Sequence, residues 1–199
     1  MNPVATYRQR LGRRFANEPY YQIVEANADQ LILESRPRAN LAPALPALIG
    51  GGIFVVGALG TLIAAYWAGG QTPGGNFGSV ALIATCMGLL GAFGFVTLFG
   101  GIAVATTRNR IVIDRAAGSV IYSQRNRVSS PRSQTLPLTE VKTVAQRTLN
   151  LQKPSGAPRP MAIIELQLIN GDPWLVDSAV EPTQLTPTLA ALQRLVPPA

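Results

Sequence analysis

Hydrophobic and polar positions along this chain follow two different periods, and the period changes twice. From Tyr21 to Arg36, "YQIVEANADQLILESR" alternates apolar and polar residues around the tip "ANAD", which predicts a β hairpin. From Leu41 to Trp67 and from Val80 to Thr106 the alternation is gone. "LAPALPALIGGGIFVVGALGTLIAAYW" and "VALIATCMGLLGAFGFVTLFGGIAVAT" have no polar face, as long apolar helices do. Period two returns in "RIVID" (Arg110 to Asp114) and "SVIYSQ" (Ser119 to Gln124), on either side of a turn at "RAAG" that ends in Gly118. Further strands are predicted from Leu136 to Thr148, from Met161 to Asn170 with Ile164, Leu166 and Leu168 on one face, and over "PWLVDSA" after a turn at Gly171 and Asp172. The polar run Asn150 to Pro160 between two of these reads as a mobile loop, since its Pro and Gly residues oppose strand continuation. The final "LTPTLAALQRLV" predicts a helix with Thr186 as N-cap, Pro187 at its first position and an apolar stripe of Leu189, Leu192 and Val196. So short a helix is marginal alone in water, and the preceding sheet is the surface on which it is expected to lie.

Both apolar runs exceed the roughly 20 residues that cross a bilayer core as a helix. Pro43 and Pro46 place the start of the first helix proper near Ala47, because proline is tolerated best in a first turn. Two core helices of a soluble protein are the alternative, which the missing polar face argues against. A cleaved signal peptide is not expected, since the first apolar run begins some forty residues in. The segment Ala68 to Gly78, "AGGQTPGGNFG", is a short uncharged turn suited to joining two antiparallel helices, and Tyr66 and Trp67 stand where an interfacial aromatic belt would be.

Charge distinguishes the two sides of such a hairpin. No Asp, Glu, Lys or Arg occurs from Ala39 to Thr107, so all 17 basic and 10 acidic residues lie in the flanks. Arg36 and Arg38 precede the first run, Arg108 and Arg110 follow the second, and the connecting turn has none. By the positive-inside rule both termini face the cytoplasm of a bacterial inner or thylakoid-type membrane. Arg8, Arg10, Arg13 and Arg14, in a basic arm over residues 1–20, extend this bias, either as a solvated arm or by binding anionic headgroups at roughly 1 kcal/mol each. Small residues recur at four-residue spacing as Gly57, Thr61 and Ala65 in the first run and Ala84, Gly88 and Ala92 in the second. Stripes of this kind let helix backbones approach closely, either within the hairpin or against another membrane protein.

The overall charge of +7 points to membrane lipids as partners rather than to nucleic acid, because no soluble stretch interleaves a basic stripe with aromatics. Candidate chemistry is sparse. The chain has no His, and its single cysteine, Cys86, can form neither an internal disulfide nor a multi-thiolate metal site, so no cofactor and no metal is expected. The carboxylates Glu25, Asp29, Glu34, Asp114, Glu140, Glu165, Asp172 and Asp177 are spread over predicted strands and turns, with no phosphate loop and no nucleophile beside a histidine. No catalytic residue is predicted.

Two strands before the apolar runs and five after them, closed by a helix, follow the element order of a pleckstrin-homology-like barrel. The expected class is therefore α+β: a two-helix transmembrane hairpin over residues 41–106 and an antiparallel β domain over 108–199 closed by the C-terminal helix. Residues 21–38 either join that domain or form a separate hairpin. With this order, "IDRAAGSV" soon after the second run, "LTEVKTV", "LQLINGDPWLV" and the terminal amphipathic helix, the chain resembles bacterial two-span proteins with a pleckstrin-homology-like cytoplasmic domain. More narrowly, it is similar over about half its length to the photosystem I assembly protein family of cyanobacteria and chloroplasts. The resemblance implies a non-enzymatic assembly factor or accessory subunit that holds other integral membrane proteins at the membrane surface, and it carries over no site residue. Three functions stand open: such a scaffold, a membrane-anchored binder of lipid or a small ligand, and an enzyme of unfamiliar type.

Overall fold

A computed structural model of the chain describes residues 18–69, 77–151 and 159–196. These residues form, in order, β1 (Tyr21–Ala26), β2 (Gln30–Ser35), α1 (Leu41–Gly69), α2 (Phe77–Ala105), β3 (Arg108–Asp114), β4 (Ser119–Arg125), β5 (Arg132–Pro137), β6 (Val141–Leu151), β7 (Arg159–Leu168), β8 (Pro173–Ala179) and α3 (Thr186–Leu195). They divide into two compact units, Asn40–Thr107 and the chain on either side of it. The class is α+β.

The β unit consists of two antiparallel sheets, β1-β2-β3-β4-β5 and β6-β7-β8. β2 pairs with β3 across the whole helical insertion, with Leu33 opposite Ile111 and Leu31 opposite Ile113, so residues 21–35 belong to the first sheet and are not a separate hairpin. Local chemistry makes the turns. The Asn27 side-chain carbonyl accepts the backbone N–H groups of Asp29 (3.0 Å) and Gln30 (2.6 Å), and Gly118 (φ 61°) and Gly171 (φ 85°) supply the left-handed conformations that the β3–β4 and β7–β8 turns require. Inward-facing Leu31, Leu33, Ile111, Ile113 and Val120 meet Ala162, Ile164, Leu166 and Val176 of the second sheet, together with Leu192 and Leu195 of α3. Leu185 and Leu192 are completely buried, so α3 is part of this core.

Four sequence-based element boundaries need correction. Residues 136–148 are not one strand: β5 ends at Pro137, a 3-10 turn spans Leu138–Glu140, and β6 begins at Val141, which makes eight strands among the described residues rather than seven. β5 escaped notice because it is a polar edge strand in which only Leu136 is not fully exposed. Thr186 is not an N-cap. It is already helical (φ −54°, ψ −44°), because the 3-10 turn Pro182–Leu185 runs straight into α3, and Thr188 rather than Leu189 lies in the fully buried stripe. α1 starts at Leu41, not near Ala47, with Pro46 inside it; the missing N–H forgoes one bond, to the Ala42 carbonyl close to the helix end. Finally, β6 reaches Leu151 and β7 starts at Arg159, so both ends of the expected loop are strand; its residues 152–158 lie outside the described residues, as do 70–76 of the predicted turn.

In the helical unit, α1 and α2 pack on each other through small residues, but through a different set from the predicted stripes. A Cβ placed on Gly57 or Gly88 would meet nothing within 4 Å, whereas on Gly51 it would lie 2.5 Å from the Leu98 nitrogen and on Gly94 2.6 Å from the Phe54 Cβ. Ala44, Gly51 and Ala58 are buried at seven-residue spacing, facing Gly91, Gly94 and Gly101. Seven-residue spacing is the mark of a left-handed seam, in which residues three and four apart share the contact line. Of the predicted stripes only Ala65 is half-buried; Gly57, Thr61, Ala84, Gly88 and Ala92 face outward.

Candidate functional site

The register of the first sheet arranges its inner face in rows. Leu31, Ile113, Val120 and Leu136 form an apolar row, and Leu33, Ile111, Tyr122 and Gln134 form a mixed one. The third row, Tyr21, Ser35, Asn109, Gln124 and Arg132, is polar across all five strands. It lies at the end of the sheet from which the chain leaves for α1 and to which it returns from α2. Between this row and the second sheet is a cavity of about 220 Å³, lined by Tyr21, Asn109, Tyr122 and Gln124 on one side and Trp174, Leu175 and Val176 of β8 on the other.

Asn109 is the most constrained member of the row. It is 4% exposed; its backbone N–H donates to Ser35 Oγ (3.1 Å) and its Nδ2 to the Tyr20 hydroxyl (2.8 Å), while its Oδ1 has no hydrogen-bond partner among the described residues. A buried unpaired carbonyl is unfavourable and ready to accept a bond from whatever occupies the cavity.

Asp177 ties the two sheets together beside the same cavity. β8 carries a bulge at Val176, so that Leu175 stands opposite Glu165 while Asp177 stands opposite the inward Ile164. The bulge turns the Asp177 carboxylate inward, where it accepts the N–H groups of Tyr20 (2.9 Å) and Tyr21 (3.3 Å) from the start of β1 and that of Ser178 (2.7 Å). Asp177 is therefore a structural clasp. Glu165, on the opposite face of the second sheet, is equally buried and is paired with Arg147 (2.8 Å). The carboxylates do not converge, and among the described residues no three His, Cys, Asp or Glu side chains are grouped to hold a metal.

The predicted membrane-surface arginines fall into distinct settings. Arg8, Arg10, Arg13 and Arg14 lie outside the described residues. Arg36 pairs with Glu18 (2.6 Å) and Arg110 with Glu34 (3.4 Å), while exposed Arg38 sits at a positive φ of 66° just before α1. Among the described residues Arg108 has no acidic partner, and it stands directly opposite Arg125 in the β3–β4 ladder.

The helical unit contributes an apolar exterior. Ile53 (67%), Val56 (71%), Leu82 (68%) and Val96 (70%) are exposed, and both helices are long and apolar enough to cross a membrane. Thr61, Thr85 and Thr97 turn their hydroxyls back onto the carbonyls four residues earlier, at 2.8 to 2.9 Å, which satisfies them without water. At the open end of the hairpin, Asn40 Nδ2 donates to the Thr107 carbonyl (2.7 Å) and holds the outgoing and returning chain together.

Sequence reasoning missed Tyr20, Asn109, Asp177 and Arg125 as site residues. Only Arg125 left a signal: with a turn fixed at "RAAG", counting outward along β3 and β4 brings it opposite Arg108. Searches with the whole sequence find no matching protein-family model and no matching curated protein.

Proposed function

We propose that this protein is a membrane-anchored binding subunit, a non-enzymatic scaffold, accessory subunit or assembly factor of a larger membrane protein complex. In this reading α1 and α2 cross the bilayer as a hairpin, and the β unit sits on the cytoplasmic side with the basic flanks. The five-strand sheet, three-strand sheet and closing helix support a pleckstrin-homology-like β unit with one strand added. The photosynthetic setting implied by the family resemblance gains no residue-level argument, because "IDRAAGSV" and "LQLINGDPWLV" are accounted for as strand–turn–strand segments.

The observation that carries the scaffold reading is the set of small residues the hairpin leaves unused. Its own seam is made by Ala44, Gly51, Ala58, Gly91, Gly94 and Gly101, while Gly57 and Gly88 face outward with open space above them. In a bilayer, where apolar side chains gain little from burial, small residues are what bring helices from different proteins into close contact. The test is isolation of the complex in mild detergent with Gly57→Leu and Gly88→Leu in one chain. The double variant should insert and fold but lose its co-migrating membrane partners. Unchanged co-migration would refute this use of the outer face. The cavity beside Asn109 favours a second reading, a small-ligand binder, in which a bound molecule donates a hydrogen bond to Asn109 Oδ1. Under it, Asn109→Leu should abolish ligand binding and leave partner binding intact.

A further inference from the structure

We propose that Arg108 and Arg125 together form a binding site for the phosphate of an anionic phospholipid, a proposal that rests on the membrane reading above. The ladder sets Arg108 directly opposite Arg125 on the outward face of the first sheet, the face opposite to that of Asn109 and Gln124. Like charges directly opposite one another in an antiparallel pair are destabilising. Three other arginines of this unit are neutralised locally, Arg110, two residues along the same face, by Glu34 (3.4 Å), Arg36 by Glu18 and Arg147 by Glu165, and what sets Arg108 and Arg125 apart is that they stand opposite each other. Both Arg108 and Arg125 are exposed and have no ion pair among the described residues. An anion between them converts the repulsion into two charge-assisted contacts, and guanidinium groups suit phosphate because each offers a planar pair of N–H donors.

Chain geometry selects the lipid as the source of that phosphate. Arg108 is three residues beyond Ala105, the last residue of α2. At 3.8 Å per step, its Cα lies within about 11 Å of the helix end. The headgroup layer is roughly 5 to 8 Å thick on each side of the hydrocarbon. Phosphate depth is therefore within reach of the long Arg108 side chain when α2 ends at the membrane surface, and Arg125 is one strand away.

The experiment uses the full chain with Trp67→Phe, so that Trp174 is the only tryptophan and reports thermal unfolding of the β unit. Nanodiscs of pure phosphatidylcholine are compared with nanodiscs containing phosphatidylglycerol. With phosphatidylglycerol the parent chain should melt a few degrees higher, whereas Arg108→Gln and Arg125→Gln should gain little. In pure phosphatidylcholine the same variants should melt no lower than the parent, because each removes a repulsion; this reversal is what a purely structural arginine would not give. Short-chain phosphatidylglycerol should bind each variant about fivefold more weakly, the equivalent of roughly 1 kcal/mol per arginine near a membrane surface. Arg194→Gln, in the last turn of α3, controls for loss of charge alone. An equal loss in Arg194→Gln, or the same stabilisation by inorganic phosphate in neutral nanodiscs, overturns the proposal. Retention of each chain in vesicles at alkaline pH is scored separately: a retained parent with unaffected variants sinks the arginine site alone, and a released parent sinks the membrane reading as well.

Discussion

Removing the Asp177 carboxylate should separate the two sheets at the start of β1. Replacement by alanine leaves the Tyr20 and Tyr21 N–H groups, both on buried residues, without this acceptor. An unsatisfied buried donor costs about 1 to 3 kcal/mol. The 2.9 Å bond to Tyr20 belongs near the middle of that range and the 3.3 Å bond to Tyr21 near its lower end. The buried Ser178 N–H (2.7 Å) loses its acceptor as well, relief from burying a charge offsets a comparable amount, and Asp177→Ala should destabilise the β unit by about 3 kcal/mol. Asp177→Asn keeps one acceptor oxygen but points an amide donor at another donor, and about 2 kcal/mol is expected. Urea titration of the full chain in detergent, read by Trp174 emission with Trp67→Phe, measures both. For an m-value of about 1.5 kcal/mol/M the alanine midpoint falls by roughly 2 M. Amide exchange at Tyr20 and Tyr21 should accelerate before that of β3. A midpoint unmoved by either substitution would show that the bulge at Val176 does not serve to aim a clasp. Loss of activity in Asp177→Asn is accordingly no sign of catalysis unless stability is shown to be unchanged.

Gly94→Val places branched carbons against the Phe54 Cβ and the Gly51 carbonyl, so it should open the α1–α2 seam at a cost of about 1 to 3 kcal/mol or more, while Gly88→Val leaves the seam intact; disulfide trapping between introduced cysteines across the seam separates the two. Leu192→Ala should lower β-unit stability by roughly 2 to 5 kcal/mol, since Leu192 is fully buried, and an unaltered melting curve would mean that α3 docks elsewhere. In a Cys86→Ser background, a membrane-impermeant thiol reagent added to intact cells should label a cysteine at Asn76 and not one at Ser155; the opposite pattern would invert the topology.

Much of this fold is legible in the sequence wherever one face of an element is buried. β3 alternates a buried inward face with more exposed outward positions, and β4 does so in part, whereas β2 and β7 read as strands from apolar runs that are buried on both faces, at Ile32, Met161 and Ile163. β5 lacks an apolar face because it lies on an edge, so nothing in its pattern separates it from a loop. The hairpin seam is not legible for a different reason: these helices are so rich in Gly and Ala that small residues occur at both four- and seven-residue spacing, and only the facing helix decides which set makes the α1–α2 contact. Asp177 resisted prediction because one extra residue at Val176 shifts the alternation of β8 and turns inward a side chain that simple counting leaves unassigned. Arg125 was deducible from register, but only after the turn had been fixed.

The pairing of β2 with β3 also dictates an order of assembly. Ser35 and Asn109 are hydrogen-bonded although 74 positions apart. Closing a flexible loop of that length costs roughly 4 kcal/mol by the logarithmic rule, before any constant term. Formation of the α1–α2 hairpin, latched by Asn40 on the Thr107 carbonyl, brings the two ends together and removes most of that cost. During synthesis β1 and β2 emerge first and wait several seconds, at 5 to 20 residues per second, for their partner strand. Formation of the α1–α2 hairpin is then a folding step for the β unit and not merely a connection between two of its strands. A defect in the seam, far in sequence from any strand, should therefore leave β2 an orphaned edge open to wrong pairing, and would be seen first as aggregation of newly made chains rather than as instability of mature ones.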